Sequence, residues 1–163
     1  MNIFVLDTDV VKCAEYHNDK HTVKMVLETT QLLNNALIAN DPAYLPVYKG
    51  THQKHPASLW VSESLANFDW LNKLGLALCQ EYSYRYCKIH KCQQYLESFA
   101  KHENRTKLPT LPQTPFVKCM PDKYKIDDPV QSYRNYYLGE KAHLAKWTKR
   151  DVPNWWKSTL ETH

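Results

Sequence analysis

The sequence predicts an all-α fold, a compact single-domain helical bundle spanning residues 1–163 and interrupted by one long proline-rich loop. Three observations lead there. Only 3 Gly occur among 163 residues, and Val/Ile/Thr alternation is scarce, so a sheet with many tight turns has little to build on. The stretch 17–35, HNDKHTVKMVLETTQLLNN, is rich in good helix formers and meets no Gly or Pro until Pro42. Capping residues stand just ahead of several apolar periodic runs, where their oxygens can accept early helical N–H groups.

Taken in order, residues 2–6 (NIFVL) read as a short extended segment packed on the core. Asp7 or Asp9 then caps a short helix that runs to about Tyr16. Asn18 or Asp19 caps the next helix, which ends near Asn40, before the loop DPAYLPVYKG. Pro56 suits a first helical position, where its missing N–H costs nothing. The apolar series Leu59, Val61, Leu65, Phe68, Leu71, Leu74 and Leu78 carries helix towards Tyr86, with a break expected near Asn67. Trp60 and Trp70 read as core. A further helix is expected over 91–103, then the loop RTKLPTLPQTPFVKCMPDKYKIDDP, whose length suggests a functional role. Asp128 and Pro129 open a last helix expected to reach about Trp147, with Tyr133, Tyr137 and Lys141 on one face. The tail sets Trp155 and Trp156 among Lys149, Arg150 and Lys157.

The helix after Asn18 has an unusual polar pattern. At about 100° per residue, His21, Lys24, Glu28, Gln31 and Asn35 share one narrow stripe. Val23, Val26, Leu27, Leu33 and Leu37 cover the far side, and Met25, Leu32 and Ala36 flank the stripe. A surface helix ordinarily has one broad polar face. A polar seam bordered by apolar residues on both sides suggests a cleft, in which carboxylate, lysine and histidine tune one another. The plainer reading is a capped helix with a Lys24–Glu28 pair worth a few tenths of a kcal/mol. His17, His21 and His55 likewise read more simply as structural hydrogen bonders, since a neutral imidazole both donates and accepts.

Bulk properties narrow the field. Apolar residues at 43% and charged residues at 23% describe a globular chain and not a disordered one. A formal charge of +4 permits phosphate contact without requiring it. The 11 Tyr and 5 Trp, placed near Lys and Arg, suit stacking on unpaired bases. Five Cys, an odd number, with no secretory or membrane-spanning stretch, indicate free thiols and an intracellular, reducing location. The pairs His17/His21 and His52/His55 and the trio Cys87, His90 and Cys92 lack the four-ligand spacing of a zinc site, so no metal or other cofactor is expected.

Two resemblances follow from these segments. MNIFVLD, HNDKHTVKM, HPASLW and YRNYYLGEKAHLAKWT resemble a family of small tailed-phage proteins, a match that brings no activity with it and would place the chain in a host cytoplasm. More remotely, three segments resemble the pyrimidine-dimer DNA glycosylases of the phage endonuclease V type and their bacterial relatives. These are Asp19, His21, Lys24, Glu28 and Gln31; His55, Trp60, Phe68, Leu71 and Glu81; and the tail EKAHLAKWTKRDVPNWW. The resemblance implies an endonuclease V-like helical fold whose N-terminus threads between helices to meet the long helix. It also implies an N-terminal α-amine attacking the sugar C1′, with a helix carboxylate assisting. An α-amine titrates near about 8, so much of it can be neutral at working pH.

Asn2 is too bulky for ready removal of the initiator, so the resemblance nominates Met1 as nucleophile and Glu28 as carboxylate, with Lys24 and His21 touching phosphate or base. Lys20, Arg134, Lys141, Lys146, Lys149, Arg150 and Trp155 are then the expected nucleic-acid contacts. Arg134 stands equally well as the partner of a buried carboxylate, Glu28 or Glu63. Trp155 and Trp156 either stack on a base or clamp the chain end. The leading expectation is a DNA glycosylase with abasic-site lyase activity. The alternatives are a non-catalytic DNA-binding protein, and an enzyme or binder of a free nucleotide that uses the His21–Lys24–Glu28 seam. In every case the seam is expected to face a hollow shared with the first residue and the basic tail.

Overall fold

The computed structural model describes residues 1–101 and 103–156; Lys157, counted above with the basic tail, lies outside them. The described residues contain helices and no strand. α1 (Val10–Tyr16) starts at Asp9, whose carboxylate accepts from the Val11 N–H. α2 (Asp19–Asn40) starts at Asn18, whose side-chain oxygen accepts from His21 N at 2.9 Å. α3 (Pro56–Ser62) is capped by His55 and has Pro56 in its first turn. α4 (Leu65–Tyr86) begins at Ser64, which accepts from Asn67 N at 3.0 Å. The break between α3 and α4 therefore falls slightly ahead of Asn67, because the Ser64 oxygen supplies a fresh N-cap. α5 (Gln93–Lys101) and α6 (Pro129–Glu140) follow, the latter capped by Asp128.

α2 and α4 form the central packed pair. Gly75 sits where they meet: a Cβ there would come within 2.9 Å of Thr29 Cγ2 and 3.0 Å of Leu96 Cδ2. Through this core runs the extended segment 2–6, with Ile3, Phe4, Val5 and Leu6 all buried. A buried extended segment must find partners for its backbone. Phe4 O accepts from Cys13 Sγ at 3.2 Å, and Leu6 O from Arg134 Nε at 2.9 Å.

The proline-rich loop is held by side chains of α3 and α4. Trp60 Nε1 donates to Pro115 O at 2.9 Å, and Asn67 exchanges two bonds with Thr114. Phe116 packs against both Trp60 and Trp70, at 5.5 and 4.6 Å between ring centroids. Trp60 is buried as expected, whereas Trp70 is half-buried and donates to Thr8 O.

α6 ends at Glu140, about two turns short of the expected Trp147. The chain turns back through a 3-10 turn at Ala142–Leu144 so that Trp147 and Thr148 reach the start of α2. There Trp147 Nε1 donates to Tyr16 O at 2.8 Å, and Thr148 donates to the Asp19 carboxylate through both its backbone N–H and its hydroxyl. These long-range bonds outweigh the local helix propensity of 141–147. No helix among the described residues is long and apolar enough to cross a membrane, and all five cysteines are free thiols.

Candidate functional site

The segment 2–6 delivers the chain start to the middle of α2. Met1 N lies 3.4 Å from Glu28 Oε1, and Lys24 Nζ lies 3.7 Å from Glu28 Oε2. The Glu28 side chain is 12% exposed and that of Lys24 69%, so the carboxylate sits between a recessed amine and a solvent-facing lysine. Asn2 fixes the register of this delivery. Its Nδ2 donates to Cys119 O at 2.8 Å, and its Oδ1 accepts from Ile3 N at 2.8 Å and Tyr133 Oη at 3.0 Å. Tyr133 Oη also accepts from Cys119 N at 3.1 Å, so the proline-rich loop, α6 and the first two residues are tied together.

The polar stripe of α2 is divided by burial. His21 and Asn35 are buried, Glu28 and Gln31 are half-buried, and Lys24 is exposed. Asn35 Nδ2 donates to Thr51 O and Ser58 Oγ, which holds the start of α3 on α2. His21 stacks on Phe4 at 4.4 Å and is hydrogen-bonded through Nδ1 to Tyr137 Oη at 2.6 Å. Burial, reinforced by His17, Lys141, Lys24 and His143, lowers its pKa to about 3. An uncharged, buried imidazole of this kind brings no positive charge to a phosphate.

His55 shares the environment of the amine and carboxylate. Its Nδ1 accepts from Ala57 N at 3.1 Å. Burial lowers its pKa, with the Met1 amine and His52 acting the same way and Glu28 opposing them. The His–Pro step at 55–56 signalled a helix start in the sequence, yet nothing local signalled this neighbourhood. The lock formed by Asn2, Cys119 and Tyr133 was equally invisible, because it spans 117 and 131 residues of chain.

The cationic and aromatic tail does not converge on this pair. Asp19, where the tail docks, precedes Glu28 by nine residues, about 13 Å along the helix axis. Arg150 is committed to Glu81, with its shortest contact at 2.8 Å, and lies 4.3 Å over the Tyr84 ring. Lys149 Nζ donates to Tyr84 O at 3.0 Å. Arg134 pairs with Asp7 at 3.2 Å, so neither Glu28 nor Glu63 is its carboxylate. Its guanidinium lies over Tyr16 and Trp155, and Trp155 packs on Tyr16 within the protein. Lys141 Nζ lies 5.1 Å over the Tyr136 ring. Lys20 and Lys146 are exposed, with no ion pair among the described residues. One hollow does join the seam's Lys24 to Asp19, where the tail docks, with Lys20, Val23 and Tyr86 completing its lining. No group of three or more His, Cys, Asp or Glu among the described residues is arranged to hold a metal ion.

Fold and site together define a helical protein that leads its own N-terminal amine through the core to a carboxylate on its central helix. A family model for pyrimidine dimer DNA glycosylases matches residues 1–94, more than half of the chain. The chain belongs to that family, which points to DNA glycosylase-type chemistry with DNA as the partner. Comparison with curated proteins and with solved structures gave no match. Segments beyond the matched region still complete the site, through Cys119, Tyr133 and Tyr137.

Proposed function

We propose that this protein excises a damaged or modified base from DNA and then cleaves the abasic strand, using the Met1 α-amine as nucleophile. The observation that carries this reading is the 3.4 Å approach of Met1 N to Glu28 Oε1. The neutral amine attacks C1′ of the target deoxynucleotide as the glycosidic C1′–N bond breaks, and the base departs with that electron pair. The new C1′–N bond, after proton loss and ring opening, becomes an imine. Removal of a C2′ proton then expels the 3′ phosphate by β-elimination. Glu28 is suited to accept the ammonium proton, stabilise the cationic sugar and relay protons during elimination. Lys24, exposed beside it, is the cation available for a flanking phosphate. His21 acts behind the site, supporting Phe4 and so the path of the N-terminal segment.

The test is a panel of end-labelled duplexes carrying a cyclobutane pyrimidine dimer, oxidised or alkylated bases, or a preformed abasic site. Base release from at least one lesion and scission at the abasic site are the expected results. Salt-sensitive duplex binding with neither reaction on any substrate would overturn the catalytic reading in favour of a binding protein. Stabilisation by free nucleotides alone would overturn the DNA reading too.

A further inference from the structure

Helix α6 meets the start of the chain at three levels. Arg134 donates to Leu6 O at 2.9 Å and pairs with Asp7 at 3.2 Å. Tyr137 packs on Phe4 at 5.4 Å between ring centroids. Tyr133 grips next to the amine itself, its hydroxyl 3.0 Å from Asn2 Oδ1. The same hydroxyl accepts from Cys119 N at 3.1 Å and lies 2.8 Å from Val117 O. A hydroxyl has one proton and two lone pairs, so partners inside the protein saturate this one. Tyr133 is fully buried, and burial pushes its pKa above the usual tyrosine range. It faces no solvent and keeps its proton, so it has no direct part to play on a substrate.

The Glu28 carboxylate alone does not hold the amine through a reaction. At 3.4 Å the pair is longer than a charge-assisted hydrogen bond of about 2.7–2.9 Å. Lys24, 3.7 Å from the other carboxylate oxygen, competes for the same charge. A nucleophilic amine must also be neutral, and its attraction to Glu28 weakens as its proton leaves. The restraint that survives this step is the one on the next residue. Asn2 makes three side-chain hydrogen bonds, with Cys119 O, Ile3 N and Tyr133 Oη, and none depends on charge. With Asn2 held, peptide planarity leaves the Met1 nitrogen free to swing only about its own Cα–C bond.

We propose that Tyr133 is a positioning residue for the Met1 amine, holding the nitrogen beside Glu28 through Asn2 while the reaction runs, a role that rests on the glycosylase reading above. Full-length wild type, Tyr133→Phe, Asn2→Leu and the double variant are compared on an abasic duplex by single-turnover borohydride trapping, with intact mass showing that Met1 is retained. Misplacing a reacting atom by about 1 Å costs about 100-fold. Asn2→Leu keeps the bulk and loses all three bonds, so it should trap about 100-fold more slowly; Tyr133→Phe leaves Asn2 the other two and should trap about tenfold more slowly. The half-saturating duplex concentration should stay within about twofold of wild type. The double variant should be no slower than Asn2→Leu, because both changes remove one shared restraint. Without DNA, acetylation of Met1 by an N-hydroxysuccinimide ester, read against Lys24 of the same molecule, should run at least about threefold faster in each variant.

Wild-type trapping and labelling in Tyr133→Phe would overturn the positioning role and leave the glycosylase reading standing. A double variant slowed by the product of the two single effects would overturn it as well, since that is the mark of independent losses. If Tyr133→Phe does not fold, Asn2→Leu decides: slow trapping upholds the restraint and wild-type trapping overturns it. No adduct from wild type on any abasic duplex would bring down both readings.

Discussion

The α-nitrogen of Met1 stands 3.4 Å from Oε1 of Glu28, a residue in the middle of α2. Bringing a chain end so close to a central helix goes with burying four consecutive residues, Ile3 to Leu6, of which the Phe4 and Leu6 carbonyls accept from Cys13 and Arg134.

Glu28→Gln keeps the shape and removes the charge. Single-turnover base release should fall by about 100-fold or more, while circular dichroism and duplex affinity stay near wild type. Undiminished release would remove Glu28 from the chemistry.

Acid should weaken the fold from an unusually high pH. Burial lowers the pKa of His17 from 6.5 to about 4 and that of His21 from 6.5 to about 3. The unfolded chain therefore takes up protons below about pH 6.5 that the folded chain refuses, so stability falls as pH drops through this window and is full above it. At pH 5 each histidine should cost about 2 kcal/mol. For Glu81, burial opposes ionisation, but Arg150 and Arg85 outweigh it and lower its pKa; its contribution is present above 4.5 and lost only below. Urea midpoints measured from pH 7.5 to 4.5 check this. A flat profile down to pH 5 would contradict the buried, neutral state of both rings.

The contact between Asp19 and Arg85 couples the two ends of the chain. Arg85 is fully buried and reaches Asp19 at 3.2 Å, Glu81 at 2.8 Å and the carbonyls of Glu15 and His17. Thr148 bonds the same Asp19 carboxylate. Asp19→Asn leaves a buried guanidinium short of one charge partner and should destabilise by about 3 kcal/mol. We expect one cooperative transition for the whole chain, read by tryptophan fluorescence and circular dichroism together. Separate transitions for the two signals would show that residues after 94 fold on their own.

The helices were legible in the sequence because their signals are local. Asn18, Ser64 and Asp128 act within three residues of the bonds they make. The polar stripe on α2 was legible too, but its burial was not. His21 is covered by Phe4 and Tyr137, and Lys24 is left open, through partners that periodicity cannot foresee. The tail's internal partners were hidden for a related reason. Arg150 and Trp155 look like nucleic-acid contacts in composition, and only the fold shows Glu81 and Tyr16 beside them.

The central claim is that the chain's own first amine does the chemistry, and borohydride trapping tests it most directly. Protein incubated with abasic duplex and sodium borohydride, then digested and mapped by peptide mass spectrometry, should carry the sugar remnant on the α-nitrogen of a retained Met1. Extending the N-terminus by one residue should abolish the adduct. An adduct mapped to a lysine, or none at all alongside active strand cleavage, would contradict the account.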